Sequence, residues 1–274
     1  MKNDNRSPDR TAETKVPGAR VTGSVLTRSR DVVTNSVADQ FGPVLLLQQA
    51  LRSAVRPVVD VADARARIAS RRPGFDPIKI LTRARTVVTA FDRCIDALEV
   101  AGLASSTTVT ALRQERYDAR SLAIAWMAGE PAPSVSSQKL ARKAVSVVAG
   151  AILQRNARVV TQNLSLDTWQ RPVCPSCGGP PDLAFIDGQK RGLVCSRCDT
   201  NWPVKTRGCI GCEATGSPTI ARVKSPYLGY DLVICHACGR YLKERTGKAM
   251  HPPLVERALT AEMDAAAVRR GLRI

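Results

Sequence analysis

Apolar residues recur at three- and four-residue steps through the first 165 positions, then give way to short β-prone runs beyond about position 172, so the chain predicts helices followed by strands. In PVLLLQQALRSAV, Val44, Leu47, Leu51 and Val55 share one stripe, and in TVVTAFDRCIDALEV so do Val88, Phe91, Ile95 and Leu98. QKLARKAVSVVAGAILQRNARVV is apolar on most sides, as a helix buried inside a bundle would be. RRPGFDP at 71–77 and GEPAPSVSS at 129–137 interrupt the pattern, leaving a domain of about five or six helices.

Beyond it, LAFI, Asp187-Gly188 and RGLVC predict a hairpin with its turn around DGQK, and TIARVK, SPYLG and YDLVIC predict a second. PPLVERALTAEMDAAAVRRGL reads as a final helix, with Pro253 near its first turn and Leu254, Ala258 and Leu259 on one face. The expected organisation is multidomain, α plus a small β part: a disordered basic leader at 1–37, an all-helical domain at 38–168, a metal-binding module at 169–248 and a C-terminal helix at 249–274. The leader is assigned because its apolar surface is too small to offset the entropy of ordering it.

Aromatic residues make up only 4% of the chain, so the helical core must be built from Ala, Val and Leu packed closely. No stretch reaches the roughly 18 to 20 apolar residues that a bilayer requires, and the N-terminus has no signal-peptide apolar region. The expectation is a cytoplasmic protein without membrane insertion, whose thiols stay reduced.

That matters because the chain holds nine cysteines, eight of them in CxxC pairs: Cys174/Cys177, Cys195/Cys198, Cys209/Cys212 and Cys235/Cys238. A two-residue gap in a tight turn lets both sulfurs converge on one ion at about 2.3 Å, and two such knuckles complete a tetrahedron. Gly178 and Gly239 follow the first and last pairs and can take the positive φ that closes the turn; Asp199 and Glu213 stand at the same place in the other two. Pairing neighbours in sequence closes gaps of 17 and 22 residues, against 31 and 36 for a crossed scheme. Loop entropy prefers the first by only about 0.5 kcal/mol per site. The hairpins decide more firmly, because each brings its own two knuckles together. Few large side chains lie between 172 and 248, whereas a structural zinc contributes about 10 to 16 kcal/mol, so metal is expected to hold this module together. Tetrahedral sulfur ligation suits both Zn²⁺ and rubredoxin-type iron.

Forty-one Lys and Arg against 24 Asp and Glu give a formal charge of +17, which invites a nucleic-acid reading. Two zinc tetrathiolates lower it to about +13, and two ferric ones to about +15. Against nucleic acid, Tyr227, Tyr230 and Tyr241 are too scattered for a base-stacking platform. Cys94, between Phe91 and Ile95, reads as a buried hydrophobe, His236 as an exposed turn residue, and Trp202 as packing over the first metal loop. His251 has no catalytic dyad around it. No phosphate loop, dinucleotide fingerprint or nucleophile elbow is present, so the chain is read as no enzyme.

The order CPSCGGPP, hairpin, LVCSRCDTNWPVKTRGCIGCE, hairpin, CHACGRYLK resembles the formate dehydrogenase accessory protein family. The likeness covers about residues 172 to 245 and includes a Thr-x-Trp segment, Thr200 to Trp202, and a Tyr-Leu-Lys triplet, Tyr241 to Lys243. It implies a helical domain joined to a rubredoxin-like, zinc-ribbon-like module with two four-cysteine metal sites. The ligands would be Cys174, Cys177, Cys195, Cys198, Cys209, Cys212, Cys235 and Cys238, holding two iron or zinc ions, with no catalytic residues. It further implies a cytoplasmic maturation chaperone whose partner is the catalytic subunit of formate dehydrogenase, and it leaves oligomeric state open. The basic leader and the ending GLRI, which lacks an aromatic tail, depart from the family pattern. A zinc-ribbon nucleic-acid binder and a rubredoxin-like electron carrier stand as alternatives.

Overall fold

Helices in the first half form either along an apolar stripe, as in the longer ones, or behind a capping residue, as in the short ones. The computed structural model describes residues 36–225 and 229–274. The leader expected over 1–37 therefore lies, but for its last two residues, outside the described residues, as do Tyr227 and most of SPYLG. Seven helices are named in this half: α1 (Gly42–Ala54), α2 (Val61–Ala69), α3 (Pro77–Arg83), α4 (Thr86–Val100), α5 (Ser106–Gln114), α6 (Ala119–Ala128) and α7 (Gln138–Asn163). Asp60, Asp76, Ser105 and Asp118 each accept a hydrogen bond from a first-turn N–H of α2, α3, α5 and α6. The count exceeds five or six because α2 and α3 are too short to show a period; their aspartate caps define them.

Helix α7 is the axis, packed against α1, α4 and α6. Its Ala141, Ala144, Ala149, Gly150, Ala151 and Ala157 are buried, so neighbouring backbones can approach closely. Val44, Leu47, Leu51 and Val55 are buried as their spacing predicts. In α4 the stripe is corrected by one residue: Val87 is 1% exposed and Val88 is 46% exposed. At about 100° per residue, Val87 lies within about 20° of Leu98, whereas Val88 lies about 80° away.

The β part is one six-stranded sheet, β1 (Pro181–Asp187), β2 (Lys190–Cys195), β3 (Asn201–Val204), β4 (Ile220–Lys224), β5 (Tyr230–Cys235) and β6 (Tyr241–Thr246), in spatial order β3-β2-β1-β6-β5-β4. Each expected hairpin forms. In the first, Asp187 pairs with Lys190, so the turn is Gly188-Gln189, with Gly188 at φ 58°. Strands β1 and β6 join in parallel, which places two antiparallel triplets side by side, each a knuckle, a hairpin, a knuckle and a third strand. The second triplet is a translated copy of the first.

One hydrophobic cluster runs from α1 through α7 into the first triplet and includes Cys174, Cys177, Cys195, Cys198 and Trp202. Gly74 N–H donates to Pro175 O at 2.7 Å and Phe75 N–H to Ser176 O at 3.0 Å, docking the first knuckle on the loop between α2 and α3. Beyond the sheet, the expected final helix is interrupted into α8 (Pro253–Leu259) and α9 (Ala261–Arg269). The break falls at Thr260, whose hydroxyl donates back to Glu256 O at 2.8 Å. Val255 and Glu256 are the buried residues of α8, while Leu254, Ala258 and Leu259 are half-buried. Among the described residues no helix is long and apolar enough to cross a membrane.

The Tyr-Leu-Lys triplet clamps these helices. Tyr241 OH donates to Asp264 Oδ1 at 2.9 Å, and the buried Lys243 ammonium donates to Asp264 Oδ2 at 2.6 Å. Removing one partner of such a pair leaves a buried charge unanswered. Asp264→Ala is therefore expected to lower stability by about 3 kcal/mol in urea titration, and Asp264→Asn, which keeps an acceptor for Tyr241, by less.

Candidate metal centres

All four cysteine turns have one hydrogen-bonding pattern. The first cysteine's N–H donates to the carbonyl five residues on, and the N–H four residues on donates back to that cysteine's carbonyl. For the four turns these distances are 2.8 and 2.9 Å at Cys174, 3.0 and 3.2 Å at Cys195, 2.8 and 2.9 Å at Cys209, and 2.8 and 2.9 Å at Cys235. The residue after each second cysteine takes positive φ: Gly178 at 74°, Asp199 at 55°, Glu213 at 61° and Gly239 at 69°. The two acids thus occupy the left-handed position that glycine fills in the other pair.

The eight cysteines come together as the two sequential sets, Cys174, Cys177, Cys195 and Cys198 in one and Cys209, Cys212, Cys235 and Cys238 in the other, with all four sulfurs of each set within 4.8 Å of one another. The Sγ pairs Cys174–Cys198, Cys177–Cys195, Cys209–Cys238 and Cys212–Cys235 each stand 3.5 Å apart. A disulfide needs about 2.05 Å, and a tetrahedral ion with bonds of about 2.3 Å needs sulfurs about 3.8 Å apart. The donor set fits an ion, and each set is able to hold one.

Electrostatics agree with that fit. Burial opposes ionisation of Cys174, yet hydrogen bonds from the other three thiols outweigh it and hold its pKa well below the usual thiol value. Burial and the same neighbours push Cys198 well above that value. In the second set burial works against Cys235, but backbone N–H and neighbouring thiols bring it down to about 7. Each set thus stabilises one thiolate by itself; a divalent ion would stabilise the rest. Cys94 stands apart on α4, fully buried, and burial alone pushes its thiol up to about 12.

The two sets differ in their surroundings. The first is wholly buried, whereas Cys212 is exposed and Cys238 half-buried. Around the first, Thr200 Oγ1 donates to Ser176 Oγ at 3.0 Å and lies 3.1 Å from Cys198 Sγ, tying the two knuckles together. Arg257 of α8 then forms a clasp: it donates to Asp182 at 2.6 and 3.1 Å, to Asp199 Oδ1 at 2.7 Å and to Cys195 O at 2.8 Å. Gln154 of α7 donates to Asp199 Oδ2 at 2.7 Å. Burial raises the Asp199 carboxyl above its ordinary range and Arg257 only partly offsets it.

Sequence reading did not find Arg257, Asp182 or Gln154, since each reaches the site across at least 45 residues with no local signal. Trp202 is fully buried opposite Leu193 in the cluster that contains the first set. His236 is exposed, its N–H donating to Thr219 O at 2.9 Å.

No family model matches the chain. The crystal structure of the FdhE protein from Pseudomonas aeruginosa superposes with a TM-score of 0.60 over 94% of this chain and 96% of that one, at 21% identity. In fold, the chain resembles that FdhE protein. In sequence, an FdhE homolog from Edwardsiella ictaluri is 33% identical over 78 residues, and FdhE from Escherichia coli O1:K1 is 32% identical over 78 residues. Both matches span 27% of this chain and only 25% of the relative's length. The FdhE-like resemblance is therefore one of sequence over part of the chain and one of fold over nearly all of it.

The positive-φ acids have opposite roles, and substitution separates them. Glu213 is exposed, so Glu213→Gly relieves backbone strain and is expected to raise stability by about 0.5 to 1 kcal/mol. Asp199→Gly relieves the same strain but strips Arg257 and Gln154 of a partner, and thermal unfolding should show a net loss of about 2 kcal/mol.

Proposed function

We propose that this protein is a cytoplasmic, non-enzymatic accessory factor that binds the catalytic subunit of formate dehydrogenase during its maturation. The observation that carries the reading is the whole-chain FdhE-like fold with both four-cysteine sets in place. In it, Cys174, Cys177, Cys195 and Cys198 ligate one zinc or iron ion and Cys209, Cys212, Cys235 and Cys238 the other. The ions act as scaffold: they fix two hairpins that have few large side chains, and the first joins the sheet to the helical core. The protein's part in maturation is to present a surface that recognises the immature subunit. A tagged formate dehydrogenase catalytic subunit should enrich this protein on co-purification; equal enrichment by an unrelated molybdoenzyme would remove the client.

The exposed rim of the second set favours one further reading, an electron carrier, because transfer requires a metal close to the surface. Protein from its native host that is red, and that bleaches reversibly with a mild reductant, would support it; two zinc ions and no colour would end it.

Burial sets the order in which the ions leave. On titration with a chelator, one equivalent of metal is expected to be released early from the second set and the other only as the fold unravels, followed by metal-indicator absorbance alongside circular dichroism. Cys212→Ser should abolish the early phase, and Cys174→Ser should cost the fold itself.

A further inference from the structure

A cleft of about 560 Å³ opens between α1, α7 and the turn after Cys198. Arg52 enters it from α1, Arg155 and Arg158 from α7, and Asn201 lines the sheet side. Asp199 is the carboxylate among the lining residues, and it is already engaged by Arg257 and by Gln154 Nε2. Among the described residues none of the three arginines has an ion-pair partner; Arg155 Nε donates to Val55 O at 3.2 Å. Gln154, 9% exposed in the cleft wall, keeps its Oε1 without a hydrogen-bond partner. Three uncompensated guanidinium groups repel one another, and a buried acceptor left unanswered costs stability. Neither feature helps this chain fold.

We propose that the cleft docks an extended acidic segment of a partner polypeptide. Guanidinium forks take carboxylates in two parallel hydrogen bonds, and three such forks along one open cleft match a run of acidic side chains. A site built for a small anion would enclose its cations, whereas Arg52 and Arg158 are exposed and Arg155 is half-buried along an open cleft. The first 35 residues carry seven Lys and Arg against four Asp and Glu, so this stretch of the chain does not supply the acidic occupant. The inference rests on the client-binding reading for the partner's identity, while the chemistry of the segment rests on the cleft.

The test uses the full-length, metal-loaded protein and a fluorescent peptide of alternating Glu and Asp, with its Gln and Asn analogue as control, followed by anisotropy at about 50 mM salt. The acidic peptide should bind at least about tenfold more tightly than the analogue and weaken as salt rises. The double variant Arg52→Glu, Arg158→Glu should lose about tenfold in affinity, while Arg269→Glu, Arg270→Glu, with the same charge change on exposed residues of the C-terminal region, should not. If charge reversal disturbs circular dichroism or metal content, Arg52→Gln, Arg158→Gln replaces it. Equal losses in both double variants overturn the proposal, as does inorganic pyrophosphate binding as tightly as the peptide. Capture of formate dehydrogenase unaffected by the cleft variants overturns the cleft and leaves the client. Peptide binding at the cleft without capture overturns the client and leaves the cleft.

Discussion

Four thiols gathered in one buried space form the constraint on which the second half of the chain depends. Their sulfurs are too far apart to bond to each other and too close to ionise together. The turn that delivers them is held by two backbone hydrogen bonds, each worth about 1 kcal/mol net, and such a turn does not by itself secure a hairpin. An ion that grips two turns at once contributes roughly ten times as much. A grip of that kind would hold the strand registers, the buried position of Trp202 and the attachment of the sheet to the helices.

What was legible in the sequence was local. The Cys pairs declare themselves by spacing, and the hairpins between them by Gly188 and alternating apolar residues, so the eight sulfurs could be sorted into two sets. The Tyr-Leu-Lys triplet could be read as a family mark, but its clamp on Asp264 could not, because that contact joins residues 21 apart in different elements. Parallel pairing of β1 with β6 left no trace either: nothing local sets the register between two hairpins that are each complete. Val87 and Val88 show the same limit on a smaller scale, since a stripe read from hydrophobicity alone is ambiguous by one residue until a partner helix selects a face.

Charge behaves differently in the two parts of the module. In the sheet interior Arg191 and Glu244, each 2% exposed, meet at 2.7 Å, and Arg222 joins them at the edge. Around the first cysteine set, Arg257 gathers two carboxylates and a carbonyl. Each of these guanidinium groups has a carboxylate beside it and ties together elements distant in sequence. Among the described residues Arg52, Arg155 and Arg158 have no carboxylate paired with them, and in a chain of +17 the contrast separates cations that build the molecule from cations that line an open cleft.

The strand order also bears on ancestry. Two triplets related by a shift along the sheet, rather than by a rotation, are what a head-to-tail duplication of one ancestral unit produces. Here one copy is embedded against the helices, while the other joins it through β6 and otherwise packs on the C-terminal helices. The two copies put a strained acid to different use: Asp199 in the embedded copy is held by Arg257 and Gln154, whereas Glu213 in the outer copy faces solvent.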